Sequence, residues 1–344
     1  MRVGEIKKRI IAMFNLPPQR RRPIFVWGPP GVGKSSIIRQ VADSLGVSLI
    51  DLRLGLLEPV DLRGVPFLEK NHNGEREVFW ARPTFIPSDD EGILFLDEFN
   101  VAVPAVQAAA YQLLLDRRVG EHRLGDGWYI VAAGNRETDA AVVYRMPTPN
   151  KSRLLHFELE VNVEDWTQWA LQNGIHEAVI GFVNYRKDLL LNFDPKSKEK
   201  TFPCPRTWEF TSDLLQLGFD DHETIASAVG IGAATEFLAF YELRDKMPDI
   251  DGIISGKVTN LPQYEDKIKL SIQHGVVAAI SARLVEMKKD RIPAIDNVLE
   301  FVMNNFDAEF AVLQVKQLVS VMRNDVMNSK RFFDFSKKYS EVIL

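Results

Sequence analysis

A chain of 344 residues with 46% apolar side chains can fill about two hydrophobic cores, which excludes a disordered segment. The net charge of −5 and a pI of about 5.8 argue against a surface built throughout as an electrostatic footprint for nucleic acid. The single cysteine, Cys204, excludes an internal disulfide, and no uninterrupted apolar run approaches the ~18 to 20 residues of a membrane span.

Residues 1–15 read as a short helix. Asn15 and Pro17-Pro18 interrupt its apolar stretch before any cleavage-like site, so the expected compartment is the cytoplasm. The basic run Arg20-Arg21-Arg22 reads as a solvated linker, and a first division is expected at 1–22. From Pro23 the pattern changes to a short apolar strand, Ile24–Trp27, then a Gly/Pro loop and a helix opening at Lys34. Strands are predicted again at Val47–Leu52, Ile93–Leu96, Tyr129–Ala133 and Leu155–Val161, with a helix over Ala102–Leu115. Strands alternating with helices predict an α/β core, a parallel sheet covered on both faces, over 23–163. Beyond Val163 the apolar spacing is helical: Val163–Leu171, His176–Leu191, Arg206–Leu217, Glu223–Leu243, Gln263–Lys288 and Ala294–Lys337. This predicts an all-α lid over 164–250 and a C-terminal helical extension over 251–344, with Asp251–Pro262 as the break between them. The most apolar stretch, Ile225–Tyr241, reads as a buried helix pair.

Gly28-Pro29-Pro30-Gly31-Val32-Gly33-Lys34-Ser35 fits G-x-x-x-x-G-K-[ST] and lies directly after a strand and at the opening of a helix, as phosphate binding requires. Glycines let the backbone curl so that successive N–H groups and the positive helix end face an anion. Lys34 is expected to reach the β- and γ-phosphates of a nucleotide and Ser35 to ligate Mg²⁺, with Ser36 continuing the loop. Gly92–Glu98 is a buried-strand run ending in two carboxylates at the ligand-binding edge of an α/β sheet. Asp97 is assigned to the Mg²⁺ water shell and Glu98 to general-base activation of the attacking water. The strand ending at Ala133 is followed by Gly134-Asn135, and the Asn135 amide is assigned to the γ-phosphate and the same water.

As a set, residues 28–35, 93–98 and 135 resemble the Walker A, Walker B and sensor-1 elements of the AAA+ superfamily. Glu58–Pro66 and Asp97–Pro104 are similar to stretches of the MoxR branch of the helix-2-insert AAA+ ATPases. The resemblance covers about residues 20–215. It implies an ATP-hydrolysing, Mg²⁺-dependent chaperone-like remodeller, assembled as a ring, usually a hexamer, with ATP sites between subunits. Frequent partners in that branch carry a von Willebrand factor A domain. Arg153, in Ser152-Arg153-Leu154, resembles the arginine-finger position, although the branch commonly has Asp-Arg-Phe there; nearby Arg145 and Arg136 are the alternatives for that role. Arg206, in Cys204-Pro205-Arg206-Thr207-Trp208, resembles the sensor-2 arginine that reaches the nucleotide of its own subunit.

Between Leu52 and Phe95 the chain is longer than a strand-helix-strand unit needs. Val65–Leu68 and Glu77–Trp80, separated by a polar stretch with Asn71-His72-Asn73-Gly74, predict a β-hairpin insert near 65–82. Its aromatics Phe67, Phe79 and Trp80 are expected to pack onto the core, with partner contact as the competing role. Gly120–Gly127 is expected to be the loop before the sensor strand. His72, His122 and His156 lack a second ligand at zinc spacing. Two other functions remain open at this stage. One is a GTP-specific AAA+ subunit of a restriction-type system, which leaves no mark in base recognition; a Ras-like site is disfavoured because Asn150-Lys151-Ser152-Arg153 ends in arginine. The other is a nucleic-acid motor or helicase loader using Arg20–Arg22, Lys330-Arg331 and Lys337-Lys338, which the acidic net charge opposes.

Overall fold

The computed structural model describes residues 1–70, 72–139, 144–147 and 151–340, which divide into two compact units: Met1–Glu160 with Asp194–Ser197, and Val161–Phe193 with Lys198–Leu344. In the first unit, five parallel strands are ordered β2-β5-β8-β1-β9: β1 Ile24–Trp27, β2 Ser48–Arg53, β5 Gly92–Asp97, β8 Trp128–Gly134 and β9 Leu155–Glu158. Every residue of β5 and β8 is buried, as strands covered on both faces require. On one face, Leu94, Leu96, Phe25 and Ile130 meet Val106, Ala110 and Leu113 of α4 (Pro104–Asp116), whose first turn carries the proline that helix starts accept. On the other side α1 (Val3–Phe14) and α2 (Lys34–Leu45) pair, with Lys7 donating to the Gln40 amide oxygen. Their apolar spacing explains the packing: Ile6, Ile10 and Phe14 are buried along one stripe, and Ile37, Ile38, Val41 and Ala42 along another.

A short helix, α3 (Pro59–Arg63), leads into the hairpin β3 (Pro66–Lys70) and β4 (Arg76–Trp80), a separate two-stranded sheet. The expectation that its aromatics pack onto the core is wrong. Every residue of β3 is exposed, Phe67 at 44%, and Phe67 meets Phe79 across the hairpin with ring centroids 6.2 Å apart. Asn71, at its turn, lies outside the described residues. Arg118–Val119 (β6) and His122–Arg123 (β7) form a second small hairpin that overlaps the predicted loop at 120–127.

The basic run departs from a solvated linker at one residue, Arg21; Arg20 and Arg22 are exposed. Pro18–Arg20 forms one 3₁₀ turn, and Arg21 donates to the carbonyls of Leu16, Asp126 and Gly127 while its guanidinium lies 5.0 Å over the Phe14 ring. The ring offers a negative face to the cation.

The second unit is helical. Val163–Gln172 (α5), Glu177–Tyr185 (α6), Pro205–Gln216 (α7), His222–Val229 (α8) and Ile231–Tyr241 (α9) surround a core containing Phe182, Trp208 and Phe237. Ile250–Ile254 (α10), Asp266–Glu286 (α11), Arg291–Asn305 (α12), Ala308–Met327 (α13) and Lys330–Lys338 (α14) close a second core, in which Ile253 and Ile254 of α10 are buried with Val276, Val298 and Phe335. Among the described residues α11 is the one helix long and apolar enough to cross a bilayer, and 61% of its most apolar window is buried inside the protein.

Candidate functional site

Three neighbouring strands, β5, β8 and β1, end at the same carboxyl edge, and each delivers part of one polar cluster. The loop after β1 turns through Gly31 and Gly33, at φ 77° and 92°, a left-handed backbone that a side chain would strain. Gly33 also caps α2 with no side chain on its amides, which leaves the N–H groups of the first turn directed at whatever occupies the loop. Lys34 Nζ donates to Gly28 C=O at 2.8 Å, to Pro29 C=O at 2.9 Å and to Asn135 Oδ1 at 3.0 Å. The ammonium is thereby held over the loop by acceptors that can yield to phosphate oxygens. Ser35 Oγ donates to Asp97 Oδ2 at 2.6 Å, and Asp97, 8% exposed, also accepts the Glu98 N–H at 2.8 Å. A hydroxyl and a carboxylate so close, at a helix start, offer hard oxygen ligands to a cation that keeps most of its water, as Mg²⁺ does. No group of three or more His, Cys, Asp or Glu suited to a metal occurs among the described residues, so a soft-ligand centre finds no support.

Glu98 has φ 53°, uncommon for any residue but glycine, asparagine or aspartate. The turn it makes is fixed from both sides: Asp97 accepts its N–H, and Phe99 N–H donates to Ala133 C=O at 2.9 Å. Its carboxylate lies beside Gly55, where an added Cβ would sit 3.1 Å from Oε2.

Asn100 is a site residue to which the sequence reading gave no role. It is 2% exposed and grips the backbone of Asn135 twice: Nδ2 donates to Asn135 C=O at 2.6 Å, and Oδ1 accepts Asn135 N–H at 3.1 Å. Gly134 makes room for it, since a Cβ there would lie 2.4 Å from Asn100 Oδ1. Asn100 therefore ties the turn after β5 to the end of β8 and sets where the Asn135 amide points. Its only sequence signal was its place in Asp97-Glu98-Phe99-Asn100.

Asp51 of β2 stands on the same sheet face as Asp97, because β2 and β5 pair Arg53 with Asp97 and Asp51 with Phe95. Burial, then the charge of Asp97, holds its carboxyl above the ordinary range, against Arg53 and Arg39; Arg39 is 3.7 Å away. Asp51 Oδ1 is buried with no hydrogen-bond partner.

The arginines separate. Arg136 is bound to buried Asp139, at 3.0 Å, and Arg145 pairs with Glu137 at 3.7 Å. Arg153 is exposed, makes no hydrogen bond or ion pair among the described residues, and lies just before β9, at the amino edge of the sheet. β1 runs from that edge to the phosphate loop beside β9, so Arg153 and Gly28 stand at opposite ends of the paired strands. Arg206 is exposed on the first turn of α7 in the second unit, behind Pro205. Asn150, of the rejected guanine-binding reading, lies outside the described residues.

Residues 24–153 match the family described as ATPase family associated with various cellular activities (AAA). Midasin of Giardia intestinalis is 34% identical over 99 residues, which are 28% of this chain and 2% of midasin. The cell division control protein 48 homolog B of Arabidopsis thaliana is 26% identical over 148 residues, 40% of this chain and 21% of that protein. The chain thus spans a small part of the length of both. A mutant RuvB structure from Thermotoga maritima is 14% identical, with a TM-score of 0.42 over 85% of this chain and 87% of that one.

Proposed function

Residues 24–153 being an AAA ATPase domain, we propose that the chain binds and hydrolyses Mg·ATP and works as a ring-forming, MoxR-like remodeller of a partner protein. The observation that carries the reading is the convergence of Lys34, Ser35, Asp97 and Asn135, held by contacts of 2.6 to 3.0 Å at the ends of three adjacent strands. Lys34 and the amides at the start of α2 bind the β- and γ-phosphates, exchanging carbonyl acceptors for phosphate oxygens. Ser35 and Asp97 are the ligands for Mg²⁺, which when bound neutralises charge across those phosphates. Asn135 orients the attacking water, and Glu98 takes its proton. A P–O bond forms to the water oxygen as the bond to the bridging oxygen breaks, and ADP leaves with that electron pair.

Arg153 supports the ring. It lies too far along the strands to reach the nucleotide of its own subunit, and a second copy supplies a phosphate for it. Of its two neighbours, Arg136 is paired with buried Asp139, while Arg145, 80% exposed, meets Glu137 only in a surface pair of 3.7 Å. Arg206 is the sensor-2 arginine on this reading. The exposed hairpin, with Phe67 and Trp80, is the surface offered to the remodelled partner, in keeping with the MoxR-like stretches at 58–66 and 97–104; a von Willebrand factor A domain is the partner class.

The deciding experiment compares Glu98→Gln with wild type. Turnover is expected to fall by about 10²- to 10⁴-fold, the usual share of a general base, with Mg·ATP binding retained. Light scattering should move the Glu98→Gln protein from its 39.1 kDa monomer to a mass of several copies when Mg·ATP is added. Loss of binding would sink the role of Glu98, and an unchanged monomer would sink the ring.

A further inference from the structure

The pairing of β1 with β9 sets Ile24 beside Leu155, and Leu155 N–H donates to Pro23 C=O at 3.0 Å. Arg22 and Arg153 lie two residues before that pair, each in the loop that leads into its strand. Both line one cavity of about 670 Å³, whose wall also includes Arg21, Arg117, Asp116 and Tyr129. Both side chains are exposed, and neither makes a hydrogen bond or ion pair among the described residues. The backbone under Arg22 is fixed, since its carbonyl accepts from Tyr129 Oη at 2.8 Å.

The charge around this cavity is compensated only in part: Arg21 feels Glu91 and Asp126, and Arg117 feels Asp126. Arg21 and Arg117 donate to carbonyl oxygens, which orient their guanidinium groups without cancelling them, and Asp116 is the one carboxylate in the wall. Like charges gathered around one cavity repel, and a protein of net charge −5 has acidic groups enough to cancel them. Two planar guanidinium forks side by side match the spread oxygens of a phosphate.

We infer that Arg22 is a second arginine acting in trans. With Arg153 it forms one clamp for the terminal phosphate of the nucleotide held by a second copy of this chain. The inference rests on the proposed ring and on Arg153 within it. Arg22, like Arg153, lies at the amino end of the paired strands, opposite its own phosphate loop, so neither serves its own subunit.

The test measures turnover of Arg22→Ala, Arg153→Ala and the double variant, and of each single variant mixed with Lys34→Ala protein. Arg22→Ala should lower kcat by about 10- to 100-fold, the effect of one charge-assisted hydrogen bond in the transition state. Binding of Mg·ATP should stay near wild type. Arg22→Lys should recover part of the rate, and the double variant should fall by less than the product of the two singles. Mixing with Lys34→Ala protein should raise the activity of both single variants, because that protein brings intact arginines to their nucleotide sites. Wild-type turnover in Arg22→Ala beside an impaired Arg153→Ala overturns the clamp and leaves the Arg153 reading standing; wild-type turnover in both overturns both. Rescue of Arg153→Ala without rescue of Arg22→Ala places Arg22 in its own subunit and overturns the inference. Calorimetry with tripolyphosphate and no nucleotide separates the remaining source: binding that Arg22→Ala abolishes, with turnover untouched, marks a site for a free polyanion instead.

Discussion

The two edges of the parallel sheet are finished in opposite ways. At the carboxyl edge Lys34, Ser35, Asp97, Asn135 and Arg136 each hold a partner in the same cluster or turn, whereas at the amino edge Arg22 and Arg153 hold none among the described residues. Internal partners fix geometry before a ligand arrives, which is the state a phosphate cradle needs. Unpartnered charge lining one cavity is suited to something that arrives from outside.

The largest way to break the contrast is to remove the cation at the carboxyl edge. Lys34→Ala should weaken Mg·ATP binding by about 10- to 100-fold, the loss of a charged hydrogen-bond donor, as read by calorimetry. Asn100→Ala attacks the same edge indirectly. It leaves the N–H and C=O of Asn135 without their partner and should cost about 2 kcal/mol in a urea titration. Turnover should fall with it, while the affinity for nucleotide changes less than in Lys34→Ala.

Asp51 gives the smallest effect and a sign to check. Its folded-state pKa is raised, chiefly by burial and next by Asp97, so the folded protein takes up this proton more readily than the unfolded chain. Ionised Asp51 therefore lowers stability at neutral pH, and that loss is relieved as the pH falls through its raised pKa. Asp51→Asn should shift the urea midpoint upward at about pH 7, with the gain shrinking toward about pH 4. A gain independent of pH would show that charge is not the cause.

Much of the carboxyl edge was legible because its signals are local. Four apolar residues, a glycine loop and Lys-Ser identify β1, its loop and α2 from one stretch of chain, and β5 and β8 announce themselves as apolar runs ending at polar residues. What escaped depends on partners distant in sequence. Asn100 acts on a backbone 35 residues away, and Arg21 on carbonyls 105 and 106 residues away, so neither role has a local pattern. The hairpin misled for a different reason: alternation predicts strands but not what their faces meet, and Phe67 and Phe79 meet each other. In the second unit, the helix pair expected over 225–241 is found, divided at Gly230, whose φ of 83° separates α8 from α9. That Arg22 and Arg153 line one cavity was invisible until two strands 131 residues apart were seen to pair, Ile24 with Leu155.

The positive φ of Glu98 places two kinds of fitness in opposition. Glycine would adopt that turn without strain, so a library of variants sorted only for resistance to heat or protease should drift away from glutamate at this position. The same library sorted for turnover should keep it. Glu98 would then be a residue retained against the interest of the fold, and the spread between the two sorted populations would measure how much stability the chain gives up to keep its chemistry.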